Sequence, residues 1–332
     1  MPNFPTIDAS LVTSATAMAF ESEFFDVYAP ELPNVKQRLE GVMTLGLPSK
    51  AADTPYHYFE TSAHPRIWKR GDAVSQDGFR GRSWTVTNFY YGKELTWYTE
   101  DEDDDQTGQL MVKAQELGKN FAILTERLFF QVLTAGTDAD LLATAPTAPD
   151  GAAMFSATNG DSGNRFGVSG GNIVTGQGVA TTEAIEDDYI RGITRMQSFQ
   201  DTKGQPRTIE ESLRDFVIIC PLALSRVMYR TFYAETVQGA NAGISGISEL
   251  GSQFPRPRIW ATQRLSGSDW YLFNKNITRK AIFEQIREDT TSNIGDFSNS
   301  DRTRSTRVKS LQFYKRLGIG LGVPYQCIKI DN

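Results

Sequence analysis

Two histidines, two cysteines and a run of six acids are the first places to look for chemistry in this chain of 332 residues. A general base, or a nucleophile activated by imidazole, would have to use His57 or His64. They stand seven residues apart, one beside aromatics and the other just before Pro65, and neither HExxH nor a similar ligand spacing is present. Both read as loop or packing residues. Cys220 and Cys327 are far apart with no CxxC, so neither a disulfide framework nor a cysteine zinc site is legible. The acids Glu100–Asp105 have the charge to hold Mg²⁺ or Ca²⁺, but they lack the D-x-D-x-D-G…E alternation of a calcium loop. A helix entry or a partner-facing patch is the better reading.

The glycines invite a phosphate-binding interpretation, and the spacing argues against it. Gly160, Gly163, Gly167, Gly170, Gly171, Gly176 and Gly178 are not followed by the Lys-Ser/Thr pair that a Walker loop requires. Gly318, Gly320 and Gly322 lie too near the end of the chain for a βαβ unit to follow them. Phe79, Arg80 and Trp84 have the chemistry to stack on single-stranded nucleic acid; the same residues suit a ribbon packed on a neighbour, and we prefer that reading. No catalytic, cofactor-binding or metal-binding constellation emerges, so no cofactor is expected.

The elements that would position any site come from an ordinary globular composition. Hydrophobic residues at 39% and charged residues at 22% exclude a disordered or fibrous chain, and the length suggests about two domains. The longest apolar run, Phe216–Cys220 continued by Pro221–Leu224, is less than half the ~20 residues of a membrane span. Residues 1–35 hold no Lys or Arg, so no secretory n-region is present, and a protein made and kept in a cytoplasm is expected. A net charge of −6 argues against general nucleic-acid binding. The charge is uneven: residues 1–35 are purely acidic, whereas residues 256–332 carry 14 Lys/Arg against 7 Asp/Glu. Opposite ends of this kind either draw copies together or form two solvated faces.

Residues 1–50 read as an arm with a short helix, since Leu32, Val35 and Leu39 recur at helical spacing before Gly41 and the Gly46–Pro48 stop. Residues 1–35 hold few legible core positions. Ser83–Tyr90 and Leu95–Tyr98 are β-branched and aromatic, with Gly92 as a turn between them. Preceded by the basic stretch Arg66–Arg82, they predict a long two-stranded excursion with a basic tip, which needs support from elsewhere. Leu110, Ala114, Leu117, Phe121, Leu124, Leu128 and Val132 form one helical stripe. A helix over residues 106–135 would be a rod about 45 Å long, entered from the acidic run, which favours the positive end of its dipole. Residues 137–180 read as a long ordered loop of functional or partner-stabilised kind. Ile185, Tyr189, Ile193, Met196 and Phe199 mark a further helix. Phe216–Cys220 is a buried strand, and Pro221 opens a helix to about Thr236. Strands at Arg258–Ala261 and Trp270–Phe273, then a pair at Ser310–Tyr314 and Ile319–Val323, complete an α+β chain with a short tail.

Several of these segments, in order, resemble the Mu-type major head subunits, phage major capsid proteins of the Hong Kong 97-like fold. The aromatic strands lead into an acidic turn at Asp104–Gly108, followed by a long helix with a Leu117-Gly118 pair that ends near Gly136. Met196–Pro206 is similar to the family's M…D-x-x-G-x-P link, Val217–Leu224 to its strand-Pro-helix element, and Gly267–Leu272 to its G-x-x-W-Y-L segment. The ending Phe313–Gly320 resembles its closing strand. Met154–Asn159 departs from the family's Phe-Phe-x-x-x-His.

The resemblance implies an N-terminal arm over 1–50, an extended E-loop β-ribbon over 51–99 and a P-domain with a spine helix and long loop over 100–189. It implies an A-domain over 190–310 and C-terminal strands over 311–332 that return to the P-domain. It implies a structural protein without enzymatic activity, a virion component assembled in the host cytoplasm into hexamers and pentamers of an icosahedral shell around double-stranded DNA. Partners would be further copies of the chain, with separate scaffold, portal and decoration proteins and no membrane; a chain starting at Met1 is expected to lose no N-terminal scaffold segment. Inter-subunit contacts are expected from Arg66, Lys69, Arg70, Arg80 and Arg82 on the ribbon and from Asp101, Asp103, Asp104 and Asp105 in the acidic run. The competing readings are the shell protein of a bacterial nanocompartment and a cytoplasmic hydrolase or nucleotide-using enzyme.

Overall fold

The computed structural model describes residues 9–59, 81–98, 100–101, 108–136, 138–200 apart from three single positions, 214–233, 254–276, 280–294 and 308–332, with a strand pair at 236–238 and 245–247 and isolated positions between 200 and 214. The first element is far longer than the short helix expected over residues 1–50. Helix α1 runs 31 residues, Ala9–Leu39, straight through Pro30 and Pro33. Its stripe Ala17, Phe20, Phe24, Tyr28, Val35 and Leu39 is buried, so residues 1–35 contribute core positions after all. Prolines ordinarily end helices because they lack the N–H and crowd the preceding turn; here tertiary packing carries the helix past them. Phe24 stacks on Phe313 at 3.9 Å between ring centroids and meets Phe121 edge-on at 5.5 Å. Such pairs contribute about 0.5–1.5 kcal/mol each beyond the area they bury.

The expected single rod is two helices, α2 (Gln109–Ala122) and α3 (Leu124–Leu133), parted at Ile123, which at φ −85° and ψ 0° stays in the right-handed region but off the ideal helical values. Backbone bonds from Ile123 to Lys119 and from Arg127 to Ile123 still bridge the break, and Ala114, Phe121, Leu124, Leu128 and Val132 of the stripe are buried as the periodicity predicts. Helix α2 starts later than expected: Gly108 is its N-cap, in the left-handed region, and its first turn holds no acid, while residues 102–107 lie outside the described residues.

A four-stranded sheet in the order β1-β11-β12-β4 supports α1 and α3, from strands Met43–Pro48 (β1), Ile282–Ile294 (β11), Val308–Leu321 (β12) and Phe89–Tyr98 (β4). Two expectations change here. Gly92 is not a turn but lies inside the ten-residue β4, and the predicted C-terminal strand pair is the single fourteen-residue β12. The ribbon is made instead by β2 (Asp53–Phe59) and β3 (Gly81–Thr87), antiparallel from Asp53 opposite Thr87 to Phe59 opposite Gly81. Asn88 is the one residue between β3 and β4.

The second sheet has five strands in the order β5-β13-β10-β6-β9. They are Ile173–Thr175 (β5), Phe216–Pro221 (β6), Arg258–Thr262 (β9), Trp270–Asn274 (β10) and Cys327–Asp331 (β13), so the expected tail is a strand. Strands β7 (Thr236–Gln238) and β8 (Ser245–Ile247) pair separately. Pro221 ends β6 and, as expected, opens a helical stretch: it is the N-cap of a 3-10 turn, Leu222–Leu224, that runs directly into α5, Ser225–Tyr233. Alternation along β6 and β10 explains their unbroken apolar sequences. Val217, Ile219, Tyr271 and Phe273 join a core with α3 and the first sheet, while Phe216, Ile218, Cys220, Trp270 and Leu272 face α4 (Thr182–Gln197) and α5. A strand covered on both faces has no polar side to show.

Candidate inter-subunit contact surface

The ribbon is positioned by its base. Asn88 is buried, and its Nδ2 donates to Ser49 Oγ at 2.9 Å and to the Ala51 carbonyl at 2.8 Å. Its Oδ1 accepts from Gln285 Nε2 at 2.9 Å, and that same nitrogen donates to the Val86 carbonyl at 3.1 Å. Gln285 Oε1 accepts from the Tyr56 hydroxyl at 2.8 Å. Every polar atom of these two amides is therefore paired, the condition under which a buried network rigidifies rather than weakens a fold. Tyr56 also stacks on Trp84 and tilts onto Phe283.

The glycines that could not cradle a phosphate serve this junction. A Cβ on Gly318 would stand 2.6 Å from the Thr87 carbonyl oxygen, and one on Gly320 would stand 2.4 Å from the Phe283 ring and 2.6 Å from Val86. Their missing side chains let the ribbon base lie directly on β12.

Of the residues expected at the contact surface, Arg82 and Asp101 are described. Arg66, Lys69, Arg70, Arg80, Asp103, Asp104 and Asp105 lie outside the described residues. Arg82 is exposed on β3 and forms an ion pair with Asp161 of its own chain at 3.0 Å. Asp101, past the end of β4, accepts from the Tyr98 backbone N–H at 3.2 Å. Arg82 lies in the β2–β3 ribbon and Asp101 in helical residues past β4, each with a local partner of its own. The acidic helix α1 is tied to β11 through hydroxyl bonds: Glu21 accepts from the Ser292 hydroxyl, and the Tyr28 hydroxyl donates to Asp289 at 3.3 Å.

The loop at 137–180 is ordered by a residue that sequence reasoning passed over. Arg165 is fully buried. Its Nε and Nη2 grip both oxygens of Asp150 at 2.7 and 3.1 Å, and its Nη1 donates to the carbonyls of Ala153 at 2.7 Å and Met154 at 2.9 Å and to Asn172 Oδ1 at 3.3 Å. The signal was available: Arg165 is the sole basic residue between positions 137 and 180. Close approach matters here too, since a Cβ on Gly171 (φ +52°) would lie 2.1 Å from the Ser156 carbonyl oxygen.

A second ionic junction joins the layers. Glu126 on α3 accepts from Arg38 of α1 at 2.7 and 2.9 Å and from Arg264, just past β9, at 2.9 Å.

The thiols are not poised for chemistry. Burial pushes Cys220 and Cys327 up to about 12, where the nucleophilic thiolate is scarce at neutral pH. Among the described residues no group of three His, Cys, Asp or Glu side chains could hold a metal ion, and no helix is long and apolar enough to cross a membrane. The pocket between α1, α3 and β11, lined by Thr125, Glu284 and Lys315, holds about 20 Å³, room for about one water molecule.

Residues 60–330 match the sequence profile of the phage capsid protein family. Solved capsids share the fold. The capsid of a native GTA particle superposes with a TM-score of 0.57 at 10% identity, covering 90% of this chain and 90% of that one. The mature capsid of bacteriophage PhiM1 gives 0.54 at 12% identity over 88% of this chain and 86% of that one. The capsid of Myoviridae phage XM1 gives 0.53 at 10% identity over 89% and 91%. No curated protein matches.

Proposed function

Because this chain belongs to the phage capsid protein family, and so is a structural protein of a bacteriophage head, we propose that it is the major head subunit of Mu-type, Hong Kong 97-like architecture. Many copies form hexamers and pentamers that close into an icosahedral shell around double-stranded DNA. Assembly takes place in the host cytoplasm, with scaffold, portal and any decoration supplied by separate proteins, and the subunit itself turns over no substrate. The observation that carries this reading is the family match over residues 60–330, which takes in α2 to α5, the whole strands of the second sheet up to β13, and β4, β11 and β12 of the first.

In this reading β2 and β3 with the residues between them are the E-loop, α2 and α3 the spine of the P-domain, and the five-stranded sheet with α4 and α5 the A-domain. Helix α1, which belongs to the N-terminal arm by its order in the chain, also acts as core. The basic ribbon residues Arg66, Lys69, Arg70 and Arg80 meet the acidic run Asp101, Asp103, Asp104 and Asp105 of a neighbouring copy, while Arg82 holds the ribbon to Asp161 of its own loop. Exposed pairs contribute only about 0–1 kcal/mol each, but a shell repeats them at every contact.

Electron microscopy of the purified chain tests the function directly. Closed, regular particles are expected; a monomer at every protein and salt concentration, or turnover of a nucleotide or ester, overturns it. For the charge contact, Arg70→Glu should lower particle yield and Asp103→Lys with Asp104→Lys should recover part of it. Recovery of nothing would separate the two patches.

A further inference from the structure

The five-stranded sheet carries complementary chemistry at its two ends. Helix α4 packs over β5 and β13, and α5 packs over β9; β5 and β9 are the opposite edges of the sheet. On α5, Met228, Thr231 and Phe232 face the core, which leaves Arg226, Tyr229, Arg230 and Tyr233 exposed. The Tyr233 hydroxyl donates to the Pro257 carbonyl at 2.8 Å, which places this aromatic edge beside Arg256 and Arg258, both exposed at the start of β9. None of the four arginines makes an ion pair among the described residues, and the outer edge of β9 has no strand partner there. At the other end, α4 exposes Glu183 and Asp187, likewise without an ion pair among the described residues. Arg191 on the same helix is already taken by Asp188, and Lys329 on β13 is shared between two acids, Asp269 and Asp331.

We propose that the basic, aromatic α5–β9 edge docks against the acidic α4 edge of a second copy of this chain, head to tail. The inference rests on the proposed shell function and names the surfaces that build its rings. A contact between two different edges of identical copies is heterologous, and it closes into a ring when the rotation per copy divides a full turn. The occupant is protein rather than nucleic acid because Leu222, Tyr229 and Tyr233 are 47, 50 and 44% exposed. Tyrosine with arginine is the composition of interface cores, whereas a phosphate backbone asks for charge alone.

The test uses the full chain in two variants, Arg226→Glu with Arg230→Glu, and Glu183→Lys with Asp187→Lys, each checked by circular dichroism for an unchanged fold. Each alone should reduce particle yield at least tenfold. Mixed in equal amounts they should form rings again, since every junction then joins opposite charges. Only even-numbered rings satisfy that alternation, so hexamers should return without pentamers. All four changes in one chain should restore both. Full assembly by either variant alone, or no recovery in the mixture and in the fourfold variant, overturns the proposal while leaving the shell function standing, provided the parent chain assembles. Loss of binding to a double-stranded DNA fragment with unaltered assembly would instead assign the arginine edge to nucleic acid. A parent chain that never assembles is the separate failure of the shell function.

Discussion

A Cβ on Gly118 would stand 2.4 Å from the carbonyl oxygen of Phe24, so the backbones of α2 and α1 touch at this pair of residues. The contact closes a core in which Phe20, Phe24 and Tyr28 meet Trp97, Phe121 and Phe313. Gly118→Ala must drive the helices apart, and overpacking of this kind costs about 1–3 kcal/mol. A lowered midpoint of urea unfolding for the unassembled chain, with an unchanged slope, is the expected result. Removal of residues 1–35 is far more severe, because it strips Ala17, Phe20, Phe24, Tyr28 and Val35 from the interior. The truncated chain should lose its cooperative unfolding transition; a folded truncated chain would show that α1 is dispensable cover.

Arg165 offers a sharper experiment. Lysine keeps the charge but replaces a planar fork by a point donor, and it cannot serve Asp150, Ala153, Met154 and Asn172 together. Breaking a buried pair by removing one partner costs about 3–5 kcal/mol. Arg165→Ala should therefore come near to unfolding the loop region, and Arg165→Lys should recover only part of the loss. Proteolysis within residues 137–180 reads this out: faster cleavage in both variants is expected, and wild-type resistance in Arg165→Lys would mean that charge alone suffices.

Much of the architecture was legible because it follows period. Ile185, Tyr189, Ile193 and Met196 lie on the core face of α4, and Phe216–Cys220 is a fully buried strand, as their spacing predicts. The errors fall where a long-range partner overrides local chemistry. Pro30 and Pro33 are local breakers, yet the stripe that begins at Ala17 needs α2 beneath it, and α2 lies about 90 residues away. Gly92 looks like a turn only until β12 is known to pair with β4 through that point, Gly92 opposite Tyr314. Gly318 and Gly320 likewise gain meaning from the ribbon crossing above them. The surface was harder still: the charge of Arg82 is readable in the sequence, whereas its engagement by Asp161, 79 residues on, is not.

The amide pair at the ribbon base should govern orientation more than stability. Gln285→Leu leaves Asn88 Oδ1, the Val86 carbonyl and the Tyr56 hydroxyl without their partner. An unsatisfied buried group costs about 1–3 kcal/mol. Hydrogen exchange should rise in residues 53–57 and 82–87 well before it rises in β11 and β12, and particle yield should fall more than the unfolding midpoint does. Uniform acceleration across the first sheet would assign the pair to general stability instead.

The junction of β10 and β13 in the second sheet should respond to acid. Burial alone would raise the Asp269 carboxyl, but its bond to Lys329 at 2.8 Å and the Asn332 backbone N–H at 3.1 Å hold it below its ordinary value. Burial would lower Lys329; hydrogen bonds to Asp269 and Asp331 raise it instead. A carboxyl depressed in the folded state contributes stability that is complete above its unfolded pKa, about 4, and is lost as pH falls through the folded value. A raised lysine contributes below its unfolded value, about 10.4, and its contribution fades only as pH climbs beyond that. The pair should therefore stabilise β13 on a plateau between about pH 5 and 9. Both groups are partly exposed, which keeps the effect small. Asp269→Asn should lower the melting temperature of the unassembled chain by a constant amount across that plateau, and the difference should shrink below about pH 4. A difference that stays constant down to about pH 2, below the range in which carboxylates ordinarily titrate, would mean that the substituted amide fails for its shape, and that the charge of Asp269 contributes nothing.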